Sequence, residues 1–258
     1  VISTDYYENI PQMGEAVELE ISFPQYFNPV LTQLFYQSGG SSQLDSVEMF
    51  SQLRSSIWTA EIPGTAMTQN GLSYFVKAVD EAGNEFTLDK RSIPIEFPDG
   101  SSGMVSSGQN AFPEGIGSGI WRLLSIPTEQ DEQALAHVIE QALGEPHGEN
   151  SCQMHEWDRE EWIAPESRQP GNGYWFHHSQ ESSVQLLLGS GVSTDLTGFD
   201  IKLNPGWSLF SSPYNFPVAN QIDSTRFSGP YTYGNFDGEG WGSLSDGLKP
   251  WAAYAIYN

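Results

Sequence analysis

A single cysteine, Cys152, stands in 258 residues, so an internal disulfide framework is excluded and the fold must rest on packed cores. Cationic side chains are almost as scarce. Four lysines and six arginines face 33 acids, the net charge is −23, and no basic stripe occurs anywhere. Nucleic acid and anionic membrane surfaces are thereby excluded as partners, because holding phosphates needs clustered Lys and Arg. No run of about 18 apolar residues exists, which excludes a membrane-spanning helix and membrane insertion by that route. No signal peptide opens the chain, and Val1 stands where a methionine would begin a complete protein; the chain reads as a mature fragment or an excised part of something longer. The chemical motifs are missing too: HExxH, a paired-cysteine zinc motif, a GxSxG elbow and a phosphate-cradling glycine loop.

What is present begins with dispersed acid. Residues 1–98 hold 13 acidic and 4 basic residues and residues 99–258 hold 20 and 6, a solvated acidic surface with no acidic tail. At roughly 100–200 residues per domain, the length predicts two domains, each able to bury its own core. Residues 17–97 carry short alternating runs, among them VELEISF, LTQLFYQ, IWTAEIP and LSYFVKAVD, separated by turns such as SGGSS and EAGN. About seven such strands in about 90 residues, with no helical period between them, predict an immunoglobulin-like sandwich. Residues 99–119 are rich in Gly and Ser and are expected to form a linker.

The region from 120 onward holds seven of the eight tryptophans and repeats itself. In GIWRLLSIP and PGWSLFSSP, Trp121 matches Trp207, Leu123 matches Leu209, Ser125 matches Ser211 and Pro127 matches Pro213, all at an offset of 86. EWDREEW parallels NFDGEGW at an offset of 79, pairing Trp157 with Phe236, Asp158 with Asp237 and Trp162 with Trp241; the same offset pairs Trp175 with Tyr254, His177 with Ile256 and His178 with Tyr257. A duplicated β domain follows, with copies at about 120–200 and 205–258. The first copy alone carries a helical insert, TEQDEQALAHVIEQALGEP, which Thr128 is placed to cap and Gly144 and Pro146 to stop. The whole is an all-β chain: an N-terminal immunoglobulin-like sandwich (1–98), then an internally duplicated barrel or sandwich with one inserted helix.

Two resemblances accompany these patterns. Over residues 5–98, and above all where Ala78, Asp80, Gly83 and Asn84 close a hairpin, the chain resembles fibronectin type III and bacterial Ig-like modules of large secreted proteins. Trp121, Leu123, Ser125, Pro127, Trp157, Asp158, Gly171, Gly173, Tyr174 and Trp175 resemble the W-x-L-x-S-x-P … G-x-G-Y-W domains near the ends of such proteins; the second copy departs from that pattern with Ala252 and Ala253. The resemblances imply accessory modules of a secreted or cell-surface bacterial protein, and they carry no catalytic residue across.

Site candidates are few. All five histidines fall between 137 and 178, but on a strand His177 and His178 point to opposite faces and cannot chelate one ion together. Asp158 and Asp237 occupy turns, where an Asp carboxylate accepts backbone amides. No cofactor is expected beyond calcium, for which Asp237, Glu239 and Asp80 are the candidate ligands in tight loops. Trp121, Trp162, Trp207 and Trp241 recur in both copies, as core positions of a duplicated fold do. Trp175, Trp251 and Tyr254 are therefore the candidates for stacking on a ligand. The leading function is a non-catalytic module pair serving adhesion, spacing or docking, with other domains of a parent protein, a surface glycan or a surface protein as partners. The alternatives are a carbohydrate-binding module using exposed aromatics of the second domain, and a metal-dependent or glycosidic hydrolase.

Overall fold

A computed structural model describes residues 10–51, 56–101, 111–144, 152–158, 160–233, 240–244 and 246–258. The chain is all-β, with one α-helix among the described residues, and divides into two units: 1–97 with 193–199, and 98–192 with 200–258.

Unit 1 is a two-sheet sandwich. Its strands are β1 (Val17–Ser22), β2 (Pro29–Ser38), β3 (Asp45–Glu48), β4 (Phe50–Ser51), β5 (Ile57–Ile62), β6 (Leu72–Asp80), β7 (Glu85–Thr87), β8 (Arg91–Ile93) and β9 (Glu96–Phe97). One sheet runs β1-β5-β4; the other runs β3-β2-β6-β7, with β8 also on β6. Strict alternation selects the inner face: Val17, Leu19 and Ile21 are buried while Glu18 and Glu20 face water. They meet Leu34, Tyr36, Leu72, Tyr74 and Val76 of the other sheet in one apolar core.

Unit 2 contains β10 (Arg122–Leu124), β11 (Glu129–Gln130), α1 (Glu132–Leu143), β12 (Cys152–Trp157), β13 (Trp162–Ile163), β14 (Tyr174–His178), β15 (Gly191–Val192), β16 (Trp207–Ser211), β17 (Ser228–Tyr233), β18 (Trp241–Ser243) and β19 (Ala253–Tyr257). Its two main sheets have the same topology. The first runs β10-β14-β12-β13 and the second β16-β19-β17-β18, so each places its last strand beside its first and its second beside its third. Ala111, Phe112 and Ile116, in the Gly/Ser-rich stretch, are buried residues of this unit.

Register fixes which residues correspond. Leu123 pairs with Trp175 and Leu124 with Tyr174; their counterparts Leu209 and Phe210 pair with Ala255 and Tyr254. Tyr174 therefore corresponds to Tyr254 and Trp175 to Ala255, one residue away from the alignment that the spacing of aromatics suggests. The hydroxyls agree: Tyr174 Oη accepts the Gln169 amide at 2.8 Å and Tyr254 Oη the Lys249 amide at 2.7 Å, each five residues back. Gly171 and Trp251 also correspond, and both adopt left-handed backbone, at φ 87° and 67°. In the other hairpin Trp157 pairs with Trp162 and Tyr233 with Trp241, so the counterpart of Trp157 is Tyr233, whereas Phe236 lies outside the described residues.

The two copies grip each other reciprocally. Ser125 donates its amide to Trp251 O at 2.8 Å, and its counterpart Ser211 donates to Gly171 O at 2.9 Å. Antiparallel bridges join Leu124 to Ala252 and Phe210 to Asn172 in the same exchange. Such mutual contacts define a local pseudo-twofold axis. Backbones approach closely there: a Cβ on Gly173 would lie 2.8 Å from that of Ala253 and 3.0 Å from that of Leu209. Helix α1 occurs only in the first copy, packing Leu135, Val138, Ile139 and Leu143 inward. Its N-cap is Asp131, whose Oδ1 accepts the Ala134 amide at 2.8 Å. Thr128 is not the cap; it is buried at φ 69° before β11.

Candidate functional site

Alternation along the strands of unit 2 gives two apolar faces, and only one is the core. On β14 the side chains of Tyr174, Phe176 and His178 are buried, while Trp175 and His177 lie on the opposite, half-buried face. On that outer face β12 presents His155 and Trp157, β13 presents Trp162, and Trp121 precedes β10. The second copy presents Trp207, Tyr231, Tyr233, Trp241 and Tyr257 in the same way.

These rings form three contact clusters along the outer face, two at its ends and one between them. Trp121 lies 5.5 Å from His155 and 5.1 Å from His177, centroid to centroid. Trp207 lies 5.9 Å from Tyr231 and 5.4 Å from Tyr257 in the second copy. Between these clusters Trp157 and Trp162 are 4.8 Å apart, and Tyr233 and Trp241 5.3 Å. Trp175 joins the halves, 6.2 Å from Trp162, 4.9 Å from Tyr233 and 6.3 Å from Trp241. Edge-to-face contacts dominate at the centre, with Trp175 meeting Trp162 and Trp241 at 82° and 81°. Such pairs are each worth about 0.5–1.5 kcal/mol, and they hold the rings in place without covering their outer faces.

Three cavities open on this surface. One of about 480 Å³ is lined by Trp121, His155, Trp162, Trp175 and Tyr233. A second, of about 370 Å³, is lined by Trp207, Tyr231, Trp241 and Ala255. A third, of about 260 Å³, is lined by Trp157, Trp162, Trp207, Ser208, Leu209, Trp241 and Ala255. No carboxylate occurs among these described lining residues.

The recurrent tryptophans are thus not core positions. Trp121, Trp162, Trp207 and Trp241 are 36%, 47%, 52% and 53% exposed, because they project from the outer face of their sheets. Of the three stacking candidates, Trp175 sits at the centre of the aromatic surface. Trp251 and Tyr254 are corrected to core residues: both are fully buried, Trp251 where the first copy has Gly171 and Tyr254 on the inner face of β19. Recurrence alone could not separate surface from core, since in a duplicated fold an exposed face repeats as faithfully as a core.

Among the remaining candidates, Asp80 and Asp158 hold turns. Asp80 Oδ1 accepts the amides of Ala82 and Asn84 at 2.9 and 2.8 Å, and Oδ2 accepts Asn84 Nδ2 at 2.8 Å. The Asn84 side-chain hydrogen bond leads in holding its carboxyl below the usual range. Asp237 and Glu239 lie outside the described residues; among those described, no three His, Cys, Asp or Glu side chains are grouped to hold a metal ion. Asp158 Oδ1 accepts the Glu160 and Glu161 amides, both at 2.9 Å, as a turn residue does. His178 is buried, with Nε2 2.8 Å from Ile116 O, and desolvation pushes its pKa down.

No family model and no curated protein matches the chain. Among solved structures, a cycloalternan-degrading enzyme from Trueperella pyogenes is similar at 13% identity and a TM-score of 0.30, over 48% of this chain and 19% of its own. Its complex with isomaltose gives 14% and 0.29 over the same shares, and its complex with a covalent intermediate 10% and 0.29 over 48% and 22%. The chain thus matches 19% to 22% of that enzyme's length.

Proposed function

We propose that unit 2 is a non-catalytic carbohydrate-binding module for neutral glycans, carried by a secreted or surface-displayed bacterial protein. One observation carries the reading: the tryptophans shared by both copies are half-exposed around cavities, instead of filling the interior. Clustered exposed aromatics are costly to leave in water and mark a binding surface. Pyranose rings match them, because their axial C–H faces pack on indole while their hydroxyls reach outward. Here the imidazoles of His155 and His177 and the hydroxyls of Tyr231, Tyr233 and Tyr257 border the rings and offer hydrogen bonds. The steep angles between rings make recesses for individual glycan chains, not a platform for a flat crystalline surface. The charge of −23 disfavours sulfated, sialylated or uronic acid glycans. Adhesion or docking of the parent protein follows as the consequence of glycan binding.

The test is an array of neutral and acidic glycans, with and without EDTA, followed by calorimetry on the strongest binder. Neutral glycans are expected to bind in both conditions. Trp175→Ala is expected to weaken affinity at least tenfold, equal to about 1.4 kcal/mol, with an unchanged circular dichroism spectrum. Binding that ignores both Trp175→Ala and Trp121→Ala, or an array with no neutral ligand, would sink the proposal.

A further inference from the structure

We infer that the aromatic surface comprises two separate glycan subsites, one built on each copy, and that one chain holds two short glycans at once; this rests on the carbohydrate reading above. The pseudo-twofold axis supplies the argument. Trp121 with His155 and His177 has its counterpart in Trp207 with Tyr231 and Tyr257. In both places the tryptophan lies between two rings 5.1–5.9 Å away. A cavity of about 480 Å³ opens beside the first cluster and one of about 370 Å³ beside the second, so each has room for its own sugar. Both subsites borrow from the other copy. Tyr233 helps to line the first cavity, and its counterpart Trp157 lines the depression that adjoins the second. Duplication has therefore reproduced a ring constellation, including the contribution across the axis, except at Trp175.

The subsites are unequal, most of all at the position of Trp175. Trp175 rises in the first, and Ala255 takes its place in the second, leaving a depression of about 260 Å³ walled by Trp157, Trp162, Trp207 and Trp241. The first cavity is lined by three indoles, Trp121, Trp162 and Trp175, and the second by two, Trp207 and Trp241, so the first subsite is the tighter of the two. The flanking groups differ in kind as well: imidazoles border the first, phenols the second. The second subsite accepts bulkier neutral residues because Ala255 leaves its floor open.

Fluorine NMR of the full chain labelled with 5-fluorotryptophan tests this, with resonances assigned by single Trp→Phe variants. Cellotriose, maltotriose and chitotriose are the probes. The expected result is that at least one trisaccharide shifts the Trp121 and Trp175 signals at low concentration and the Trp207 signal at higher concentration, with two molecules bound per chain by calorimetry. Trp207→Ala should reduce the stoichiometry from two to one and leave the Trp121 shift intact; Trp121→Ala should do the reverse. Because both tryptophans project from the outer face of their sheets and not into the core, neither variant should alter the far-ultraviolet circular dichroism spectrum, and Trp207→Tyr should keep the second site at reduced affinity. Saturation at one molecule per chain with a silent Trp207 overturns the inference and leaves the glycan reading standing. If no tryptophan signal moves with any of the three, the two-site inference falls, and the glycan array decides the wider reading by itself.

Discussion

Tyr174 and Tyr254 show how one side chain can fix a loop to a core. Each is fully buried in its last strand and accepts a backbone amide five residues earlier, so each phenol anchors the turn that leads into its own strand. Removing the Tyr174 hydroxyl deprives the Gln169 amide of its acceptor, which costs about 1–3 kcal/mol. Tyr174→Phe should lower the denaturant midpoint accordingly at unchanged m-value. Burial is also the main cause that pushes both phenols up to about 12 from an ordinary 10. A raised folded-state pKa contributes stability that is intact below pH 10 and lost as pH climbs toward 12, since the unfolded chain ionises first. Tyrosinate absorbance from these two residues should therefore appear together with loss of the β-sheet signal. Separate, earlier titration of all eleven would contradict this.

His178 carries the opposite sign. Desolvation depresses its pKa below 6.5, so its stabilising contribution is whole above that value and declines as pH falls below it, where the unfolded state takes up the proton more readily. His178→Gln keeps a nitrogen donor for Ile116 O and cannot titrate. Chemical denaturation between pH 7.5 and 5 should show a shallower loss of stability in this variant than in the wild type; equal slopes would assign the loss to other groups.

At the scale of elements, α1 shows what pattern can and cannot supply. Its inward stripe and its stop at Gly144, which adopts φ 69°, follow from helical spacing and from the tolerance of glycine for left-handed backbone. Its start does not, because several polar residues precede the stripe and only geometry shows that Asp131 reaches the third amide. Asp131→Ala should cost about 1 kcal/mol, read as a lower melting temperature with little change elsewhere. The repeated tryptophans suggested which segments correspond, but not the order of the strands in each sheet. Register was not legible either. The connection from Trp162 to Tyr174 is 12 residues and that from Trp241 to Tyr254 is 13, so matching aromatics by count slips the last strand by one. A slip of one exchanges the faces of every side chain, which is why Tyr254 looked available and is in fact buried. The face itself was ambiguous for a related reason. In YWFHH both alternating sets are apolar or aromatic, and a period of two cannot say which set faces the core.

At the scale of the whole molecule, unit 1 is discontinuous in sequence, and composition gave no sign of it. Residues 193–199 belong with residues 1–97, although they come after nearly a hundred residues of unit 2. Ser193 exchanges two bonds with Ile95: its amide donates to Ile95 O at 2.9 Å, and its Oγ accepts the Ile95 amide at 2.8 Å. Leu196 donates its amide to Ser92 Oγ at 3.0 Å. Together these bonds are worth about 2–4 kcal/mol, a large part of the stability of a domain of this size. A fragment ending at residue 98 lacks all of them. It should therefore melt well below a fragment in which residues 192–200 are joined to its C-terminus by a flexible linker. Free peptide of residues 192–200 should raise the melting temperature of the short fragment in a saturable way, as a ligand that binds only the folded state does. If the short fragment were as stable alone as with the joined segment, residues 193–199 would be a passive crossing of the chain. Unit 1 would then fold with its first 97 residues sufficient, and the two units could be divided by a single cut.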